Sequence, residues 1–183
     1  MLLNIIKMNI LDLGCWKGKI NGAFGVDFVK FDGVDFVWDL NKELPKKFHN
    51  KFDVVHNKCV IDHLGNPMIF LQGCIKYLKK NGKLILIVDN GDYWRYHVKK
   101  GTYHATLWEK DDPDHKETQH KMLFQMKHLT NLLELVGFKI TNSYYYNDYD
   151  NLPLAKKLFR AHIDLFLPNY IGKNMMKIEA IKP

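Results

Sequence analysis

A glycine-rich loop between two apolar runs carries two aspartates near the start of the chain. Asp12 precedes Gly14 at the end of the first run, and Asp27 closes the second run, beyond Gly18. Glycine allows the backbone to approach a ligand closely where the carboxyl edge of a sheet opens. A carboxylate at the end of the next strand can accept both hydroxyls of a ribose. These residues therefore indicate a nucleoside site, although a glycine loop alone is also typical of an ordinary turn.

Histidine, aspartate and aromatic residues further along the chain are candidates for acid and base chemistry. His63 follows the fourth predicted strand and could accept a proton from a hydroxyl or amine, or could be a packing residue. Asp89 ends the fifth predicted strand and could contact a substrate or form a turn. The residues after it could line a substrate pocket or anchor a loop, and the candidates there are Tyr93, His97, Tyr103 and His104. His115 and His120 are poorly spaced for metal ligands, so we predict no metal site.

Short apolar runs and helical periodicity predict that strands alternate with helices. Asn66 can cap a helix that begins at Pro67 and that we expect to end at the left-handed pair Asn81 and Gly82. Strands are predicted over 5–13, 23–28, 34–38, 51–57, 84–88, 138–146 and 175–181. Further helices are predicted over 129–136, where Gly137 would end the helix, and over 152–166. This alternation favours a parallel sheet.

The connection between the second and third predicted strands has two interpretations. Asp32 and Gly33 stand between alternating runs over 28–37, which is the strongest short signal for an antiparallel hairpin. The same pair could form a tight turn between two parallel strands that lack a connecting helix. The first connection, over 14–22, is also short, whereas a parallel crossover normally takes a dozen or more residues. Local pattern alone leaves both alternatives open.

Composition limits the class of protein. The 183 residues, 46% of them apolar, suit a single domain over 1–183, in which the segment 91–128 lacks periodicity and is interpreted as a lid insertion. Three widely separated cysteines argue against a disulfide framework and suit the cytoplasm. The first residues lack the pattern of an export leader, and no apolar run is long enough to span a membrane, so we expect a soluble protein that is not exported.

Short motifs follow one another along the chain: LDLGC (11–15), GVD (25–27), DL (39–40), FDVV (52–55), IDHL (61–64), YLKKNGKL (77–84) and LLELVGF (132–138). These motifs and their order resemble those of class I S-adenosylmethionine-dependent methyltransferases, in particular the small "type 11" group. The resemblance implies an α/β, Rossmann-like fold whose seven-stranded sheet is mostly parallel with an antiparallel last strand. It further implies helices on both faces and shortened first crossovers, so that the compressed loop over 14–22 would join two parallel strands.

The resemblance also implies a site for S-adenosylmethionine as cofactor. Asp27 would hold the ribose, and Asp39 with Leu40 would flank the adenine. The other residues implied are Asp12, Gly14, Cys15, Trp16 and Asn57. Trp16 departs from the family pattern, which has glycine there. Its indole could fold away and cover the cofactor, or it could fill the site in a catalytically silent relative.

The expected reaction is methyl transfer from S-adenosylmethionine to a hydroxyl or amine of a small molecule, such as a sugar or lipid-linked intermediate. His63 is the candidate base. A silent binding or assembly subunit is the first alternative, and an RNA methyltransferase is the second. The formal charge of +7 favours an anionic partner, but the lysines are scattered in pairs. The block 57–60 also lacks the Asn-Pro-Pro-aromatic and Pro-Cys patterns of base-modifying enzymes, so we favour a small molecule over nucleic acid.

Overall fold

A computed structural model describes residues 8–94, 121–148 and 153–183, apart from the side chains of 163 and 164. Most of the predicted lid therefore lies outside the described residues. The strands are β1 (Ile10–Leu13), β2 (Phe24–Asp27), β3 (Phe36–Val37), β4 (Phe52–Lys58), β5 (Leu78–Asp89), β6 (Lys139–Tyr146) and β7 (Met175–Ile181). The helices are α1 (Pro67–Tyr77), α2 (Met126–Val136), α3 (Leu154–Asp164) and α4 (Asn169–Gly172), with 3-10 turns at Lys46–Phe48 and Ile61–His63.

The described strands form a seven-stranded sheet in the order β3-β2-β1-β4-β5-β7-β6. Strands β1 to β5 pair in parallel, and β7 is antiparallel to both β5 and β6. Val26 pairs with Phe36 in parallel register, so the connection over 28–37 is a parallel crossover rather than a hairpin. The predicted mostly parallel sheet with an antiparallel last strand is confirmed.

Shortened crossovers join β1 to β2 and β2 to β3. Neither 14–23 nor 28–35, whose residues are all described, contains a helix. The stem of Lys19 lies against Gly25 of β2, where an added Cβ would meet Lys19 Cδ at 2.6 Å. Lys19 Nζ donates to Asp35 at 2.8 Å, and the same carboxylate accepts the Gly25 N–H at 2.7 Å. Loop residues therefore pack on β2 where a crossover helix would normally lie.

The predicted caps of two helices are present. The Asn66 side chain accepts the N–H of Ile69 at 3.2 Å at the start of α1, and Pro67 follows at the first helical position. Gly137 ends α2 in the left-handed conformation, with φ at 104°. Helix α2 begins at Met126, inside the segment predicted as a lid. The end of that segment is therefore helical.

The end of α1 differs from the prediction. The sequence predicts a stop at Asn81 and Gly82, but α1 ends at Tyr77. Leu78 is extended and fully buried, and it pairs with Phe52 in the first register position of β5. Asn81 does adopt a left-handed conformation, with φ at 61°, but within β5. Burial of Leu78 in the sheet therefore overrides the local stop signal.

One face of the sheet forms the core together with α1 and α2. The fully buried side chains Leu11, Val55, Leu84 and Ala180 lie in register across four neighbouring strands. Onto them pack Phe70, Leu71 and Cys74 from α1, and Leu129 and Leu133 from α2. The two helices contact each other and belong to the same cluster, so they cover the same face. The prediction of flanking helices is confirmed on this face.

The opposite face of the sheet is half-buried and carries charge. Ile85 and Ile87 remain partly exposed there, whereas the core-side positions of the same strand are fully buried. Glu179 of β7 lies between Lys177 at 3.0 Å and Lys83 at 3.1 Å. Hydrogen bonds from Lys177 and Lys83 hold the pKa of Glu179 below its ordinary value. Water therefore solvates a row of ion pairs on this part of the sheet.

Helix α3 differs from α1 and α2 because its apolar side chains do not join the core. The helix predicted over 152–166 is present as Leu154–Asp164, yet Leu154 and Leu158 are exposed. Helix α4 follows and leads into β7. None of the helices in the described ranges is both long and apolar enough to cross a membrane.

A buried tyrosine anchors the connection between β3 and β4, in which the structure has only a 3-10 turn. Leu44 N–H donates to Tyr77 Oη at 2.6 Å, and both residues are buried. The hydroxyl lies over Gly73, where an added Cβ would be 2.6 Å from Oη. Glycine inside a helix lowers its stability, but here it makes room for this bond. A side-chain hydroxyl of α1 thus fixes a connection that has no α-helix of its own.

We expect Tyr77→Phe to lower the free energy of unfolding by about 1–3 kcal/mol, because the buried N–H of Leu44 would lose its acceptor. Urea denaturation at constant m-value measures the change. Tyr170→Phe is the matched control, since Tyr170 is half exposed and its hydroxyl should matter by less than about 0.5 kcal/mol. Equal losses in the two variants would contradict the anchoring role of Tyr77.

Candidate functional site

The carboxyl ends of β1, β2, β4 and β5 meet at one edge of the sheet. The strand order reverses at β1, which lies between β2 and β4. Parallel sheets bind ligands in the crevice outside the carboxyl ends of their strands at such a switch point. The predicted site residues near the ends of these strands therefore face the edge where a ligand is expected.

The buried carboxylate of Asp12 holds the loop that follows β1. It is 3% exposed, and its Oδ2 accepts the N–H of Ile20 at 2.9 Å. Its Oδ1 lies 2.8 Å from Nδ1 of His56 on β4. Sequence reasoning missed His56, because only the parallel register of β1 and β4 brings these two residues together across 44 positions. Both oxygens of Asp12 thus join the loop to the neighbouring strands.

Gly14 begins the loop in a conformation and a space that only glycine fits. Its φ is 72°, and an added Cβ would lie 2.0 Å from Cγ2 of Val60. The N–H groups of Gly14 and Cys15 both donate to the carbonyl of Val26, at 2.7 and 3.3 Å. The loop is therefore pressed between the end of β2 and the segment that follows β4.

Trp16 turns its indole onto the outside of the loop. Its ring packs edge-on against Phe31 with centroids 6.1 Å apart, Lys17 Nζ lies 5.4 Å from the ring, and the residue is 48% exposed. Its backbone is left-handed, with φ at 41°, and its N–H donates to Oδ2 of Asp27 at 2.8 Å. This geometry favours the interpretation in which the indole folds away from the pocket.

The carboxylate of Asp27 stands at the end of β2 and is 5% exposed. Its Oδ2 accepts the Trp16 N–H, and its Oδ1 accepts the Val29 N–H at 3.1 Å. Each carboxylate oxygen can accept two hydrogen bonds. One backbone donor on each oxygen therefore leaves two acceptor positions at this carboxylate in the described structure.

The end of β3 brings Asp39 and Leu40 beside Asp27. Trp38 N–H donates to the carbonyl of Asp27 at 2.8 Å. The Asn41 N–H, which donates to Asp39 Oδ1 at 2.9 Å, lowers the pKa of Asp39, and Leu40 is buried. Phe28, directly after Asp27, exposes 48% of its surface at the same edge. Sequence reasoning missed Phe28, although an aromatic residue next to a predicted ribose ligand was a usable signal.

Asn57 near the end of β4 has a buried acceptor without a partner. The residue is fully buried, and its Nδ2 donates to the carbonyl of Leu13 at 2.9 Å. In the described structure its Oδ1 has no hydrogen-bond partner. Buried polar atoms are nearly always paired, so this oxygen marks a place where a donor is expected.

His63, Asp89 and Tyr93 lie at or beyond the carboxyl ends of β4 and β5. His63 ends the 3-10 turn after β4 and is half-buried, as is Asp89 at the end of β5. Tyr93 is buried and packs edge-on against Trp94 at 6.1 Å, which favours its interpretation as a loop anchor. The other predicted substrate residues, His97, Tyr103 and His104, lie outside the described residues.

Burial beside carboxylates keeps the thiols at this edge protonated. Burial, with Asp12 and Asp27 nearby, raises the pKa of Cys15 from 9.0 to about 11. Burial, with Asp89 nearby, raises the pKa of Cys59 well above its ordinary value. The thiolate is the nucleophilic form of cysteine. The arrangement therefore disfavours covalent catalysis by a thiol.

A cavity of about 470 Å³ lies at the opposite edge of the sheet. Asn9, Gly22 and Lys79 are among the residues that line it, and they flank the amino-terminal ends of the strands. None of the predicted site residues lines this cavity. It is therefore separate from the candidate site.

Sequence comparison identifies the family. A family model described as a methyltransferase domain matches residues 3–143, more than half of the chain. The chain belongs to this family of methyltransferase domains. The match includes the loop after β1, Asp27, Asn57 and His63. No curated protein is similar enough to count as a match.

Solved methyltransferase structures share the fold of this methyltransferase domain. An S-adenosylmethionine-dependent methyltransferase from Archaeoglobus fulgidus has a TM-score of 0.65 and 17% identity, covering 96% of this chain and 86% of that one. A second, from Mesorhizobium loti, has a TM-score of 0.64 and 17% identity, covering 98% and 93%. Phosphoethanolamine N-methyltransferase 2 from Haemonchus contortus, in complex with S-adenosyl-L-methionine, has a TM-score of 0.59 and 17% identity, covering 96% and 49%. These likenesses confirm the Rossmann-like methyltransferase fold.

We expect Gly14→Ala to destabilise the domain by about 2–4 kcal/mol, because alanine would meet Val60 and would also be strained at positive φ. Thermal or urea unfolding measures the loss. The double variant Gly14→Ala/Val60→Ala should recover the part that comes from the clash.

Gly22→Ala is the matched control for this experiment. Gly22 has nearly the same φ, 77°, but an added Cβ there would meet nothing within 4 Å. We expect it to cost only the conformational strain of about 1 kcal/mol. A loss as large as that of Gly14→Ala would show that the contact with Val60 is unimportant.

We expect the cysteine thiols of the folded domain to alkylate slowly at pH 8. A thiol whose pKa is raised stays protonated until the pH approaches the raised value, and Cys15 should hold about 100-fold less thiolate than an ordinary cysteine. Iodoacetamide labelling followed by mass spectrometry measures the rate at Cys15 and Cys59. The same protein in urea is the control and should label rapidly at both residues. Rapid labelling of folded Cys59 would contradict this account.

Proposed function

We propose that this methyltransferase domain transfers a methyl group from S-adenosylmethionine to a small-molecule acceptor. The proposal rests on Asp27: a nearly buried carboxylate at the switch-point edge that keeps two acceptor positions after the loop has used one on each oxygen. Two vicinal hydroxyls, as in a ribose, match that requirement.

The residues around Asp27 fit the remaining parts of the cofactor. The exposed ring of Phe28 and the side chains of Asp39 and Leu40 would flank the adenine. The unpaired Oδ1 of Asn57 would accept a hydrogen bond from the ammonium group of the methionine end. Asp12, Gly14, Cys15 and Trp16 would act through the loop, whose tight path between Val26 and Val60 leaves backbone close to the ligand.

Methyl transfer requires little covalent chemistry from the protein. S-adenosylmethionine supplies a methyl group already activated by its sulfonium. The chain's part is to align the acceptor with this group and to exclude water. For a hydroxyl or amine acceptor, His63 would take the proton that the acceptor loses. Asp89 would border the acceptor, and His97, Tyr103 and His104 stay predicted substrate residues.

A small molecule is favoured as acceptor by two observations. The lysines that give the chain its charge are scattered rather than gathered in a stripe, which is atypical of a nucleic-acid surface. One of the structures that share the fold is named a phosphoethanolamine N-methyltransferase, and phosphoethanolamine is a small molecule. A cytoplasmic location suits the free cysteines Cys15, Cys59 and Cys74.

A catalytically silent binding subunit is the second candidate. The backbone bonds that both Asp27 oxygens already accept favour it, because they use part of the hydrogen-bonding capacity of the predicted ribose ligand. In that case the fold would persist without a functioning cofactor site. The net charge of +7 keeps an RNA acceptor as a third candidate.

Calorimetric titration with S-adenosylhomocysteine tests the proposal. We expect wild-type protein to bind, and Asp27→Ala to bind about 100-fold more weakly, because two hydrogen bonds to a charged group contribute roughly 3 kcal/mol. Asp27→Asn keeps one carbonyl acceptor, so its affinity should lie between that of wild type and that of Asp27→Ala. Asp53→Ala is the matched control: Asp53 also accepts a backbone N–H, from Asn9 at 2.8 Å, but at the opposite edge. Its affinity should equal that of wild type.

Each alternative gives a different result in the same assay. No heat from folded wild-type protein, with affinity gained in Trp16→Gly, would replace the proposal by the silent subunit. Cofactor binding together with RNA binding that weakens steeply with salt would replace the small molecule by RNA. Wild-type affinity in Asp27→Ala would remove the observation on which the proposal rests.

A further inference from the structure

Helix α3 presents an apolar face to solvent. Leu154, Leu158 and Phe159 are 71%, 63% and 66% exposed. The surface continues beyond the helix in Leu165 and Phe166, which are 77% and 78% exposed. Apolar side chains gathered in this way mark an interaction surface, whereas single exposed ones do not.

The other side of α3 is basic. At 3.6 residues per turn, Lys156, Lys157 and Arg160 project away from the apolar side chains. An apolar face of leucine and phenylalanine opposite a face of lysine and arginine is typical of helices that lie in a membrane–water interface.

The segment that carries α3 is tied to the sheet near both ends. Asn174 accepts the Asp148 N–H at 2.9 Å and donates to the Asp148 carbonyl at 3.1 Å, so the segment closes where β6 ends and β7 begins. Asn90, fully buried just after β5, donates to the carbonyls of Tyr170 and Lys173 at 2.8 and 2.6 Å. Helix α3 therefore belongs to the same edge of the sheet as the candidate site.

Charge decides what this face fits. A second copy of the chain would bring together two molecules that each carry a formal charge of +7, and like charges repel. The anionic surface of a lipid layer is flat, attracts the basic side chains, and accepts leucine and phenylalanine at its acyl boundary.

We propose that α3, with Leu165 and Phe166, docks this domain onto an anionic lipid surface. Eleven helical residues extend about 16 Å, roughly half of the hydrocarbon core, so α3 would lie in the surface. The docking stands independently of methyl transfer. It would turn the carboxyl edge of the sheet toward the lipid.

Vesicle co-sedimentation tests the docking with the full chain. Wild-type protein should pellet with vesicles in which phosphatidylglycerol replaces about a third of the phosphatidylcholine, and should stay in solution with phosphatidylcholine alone. Leu158→Ser/Phe159→Ser should bind at least about tenfold more weakly, because two exposed apolar anchors are lost. Lys156→Glu/Lys157→Glu should also bind at least about tenfold more weakly.

Two matched controls separate docking from general stickiness and charge. Leu135→Ser removes a leucine that is 77% exposed on α2, away from this surface. Lys127→Glu/Lys139→Glu makes the same charge change at two exposed lysines elsewhere. Both should bind vesicles as wild type does. Circular dichroism confirms that each variant is folded.

Several results would overturn the proposal. One is wild-type protein that ignores anionic vesicles, and another is unchanged binding of Leu158→Ser/Phe159→Ser. Equal weakening by Lys127→Glu/Lys139→Glu would show that only net charge matters. If light scattering shows that wild-type protein is a dimer and that Leu158→Ser/Phe159→Ser is a monomer, the face would be assigned to a second copy of the chain. Stronger binding to a soluble acidic polypeptide than to vesicles would assign it to a protein partner.

Discussion

A buried carboxylate needs hydrogen-bond donors from the protein, because water does not reach it. The buried carboxylate of Asp12 therefore constrains the conformation of the first loop of the domain. The Ile20 N–H and the His56 ring meet it from two directions, so the loop is fixed to β1 and β4 at once. Asp27 repeats the arrangement one strand away, with backbone donors from Trp16 and Val29. Two buried carboxylates thus hold the loops at an edge of the sheet, whereas parallel strands are usually joined by a crossover that contains a helix.

Much of the fold could be predicted because its signals are local. Apolar runs located the strands, and the Asn66 cap and the Gly137 stop are present where the sequence indicates them. Predictions failed or stayed open where the local structure depends on contacts with residues far away in the sequence. Helix α1 ends before the predicted stop at Asn81, because Leu78 is buried in the sheet. The choice between a hairpin and a parallel crossover over 28–37 is resolved only by the pairing of Val26 with Phe36.

The candidate site shows the same division between local and distant information. The positions of Asp27 and Gly14 follow from strand ends and glycine spacing, but their assigned roles came from the family resemblance. The path of the Trp16 indole depends on Phe31, and the partner of Asp12 depends on sheet register. Neither contact has a signature within a short window of sequence. For α3, periodicity located the helix but could not show that its apolar side faces outward.

The side chain of Asn90 connects the end of β5 directly to the segment that carries α3. Its amide donates hydrogen bonds to two carbonyls of that segment. Force applied to that segment would reach the neighbouring Asp89 through two short bonds, with no flexible linker between them. A displacement of α3, such as docking would cause, would then also displace the carboxyl edge of the sheet at Asp89.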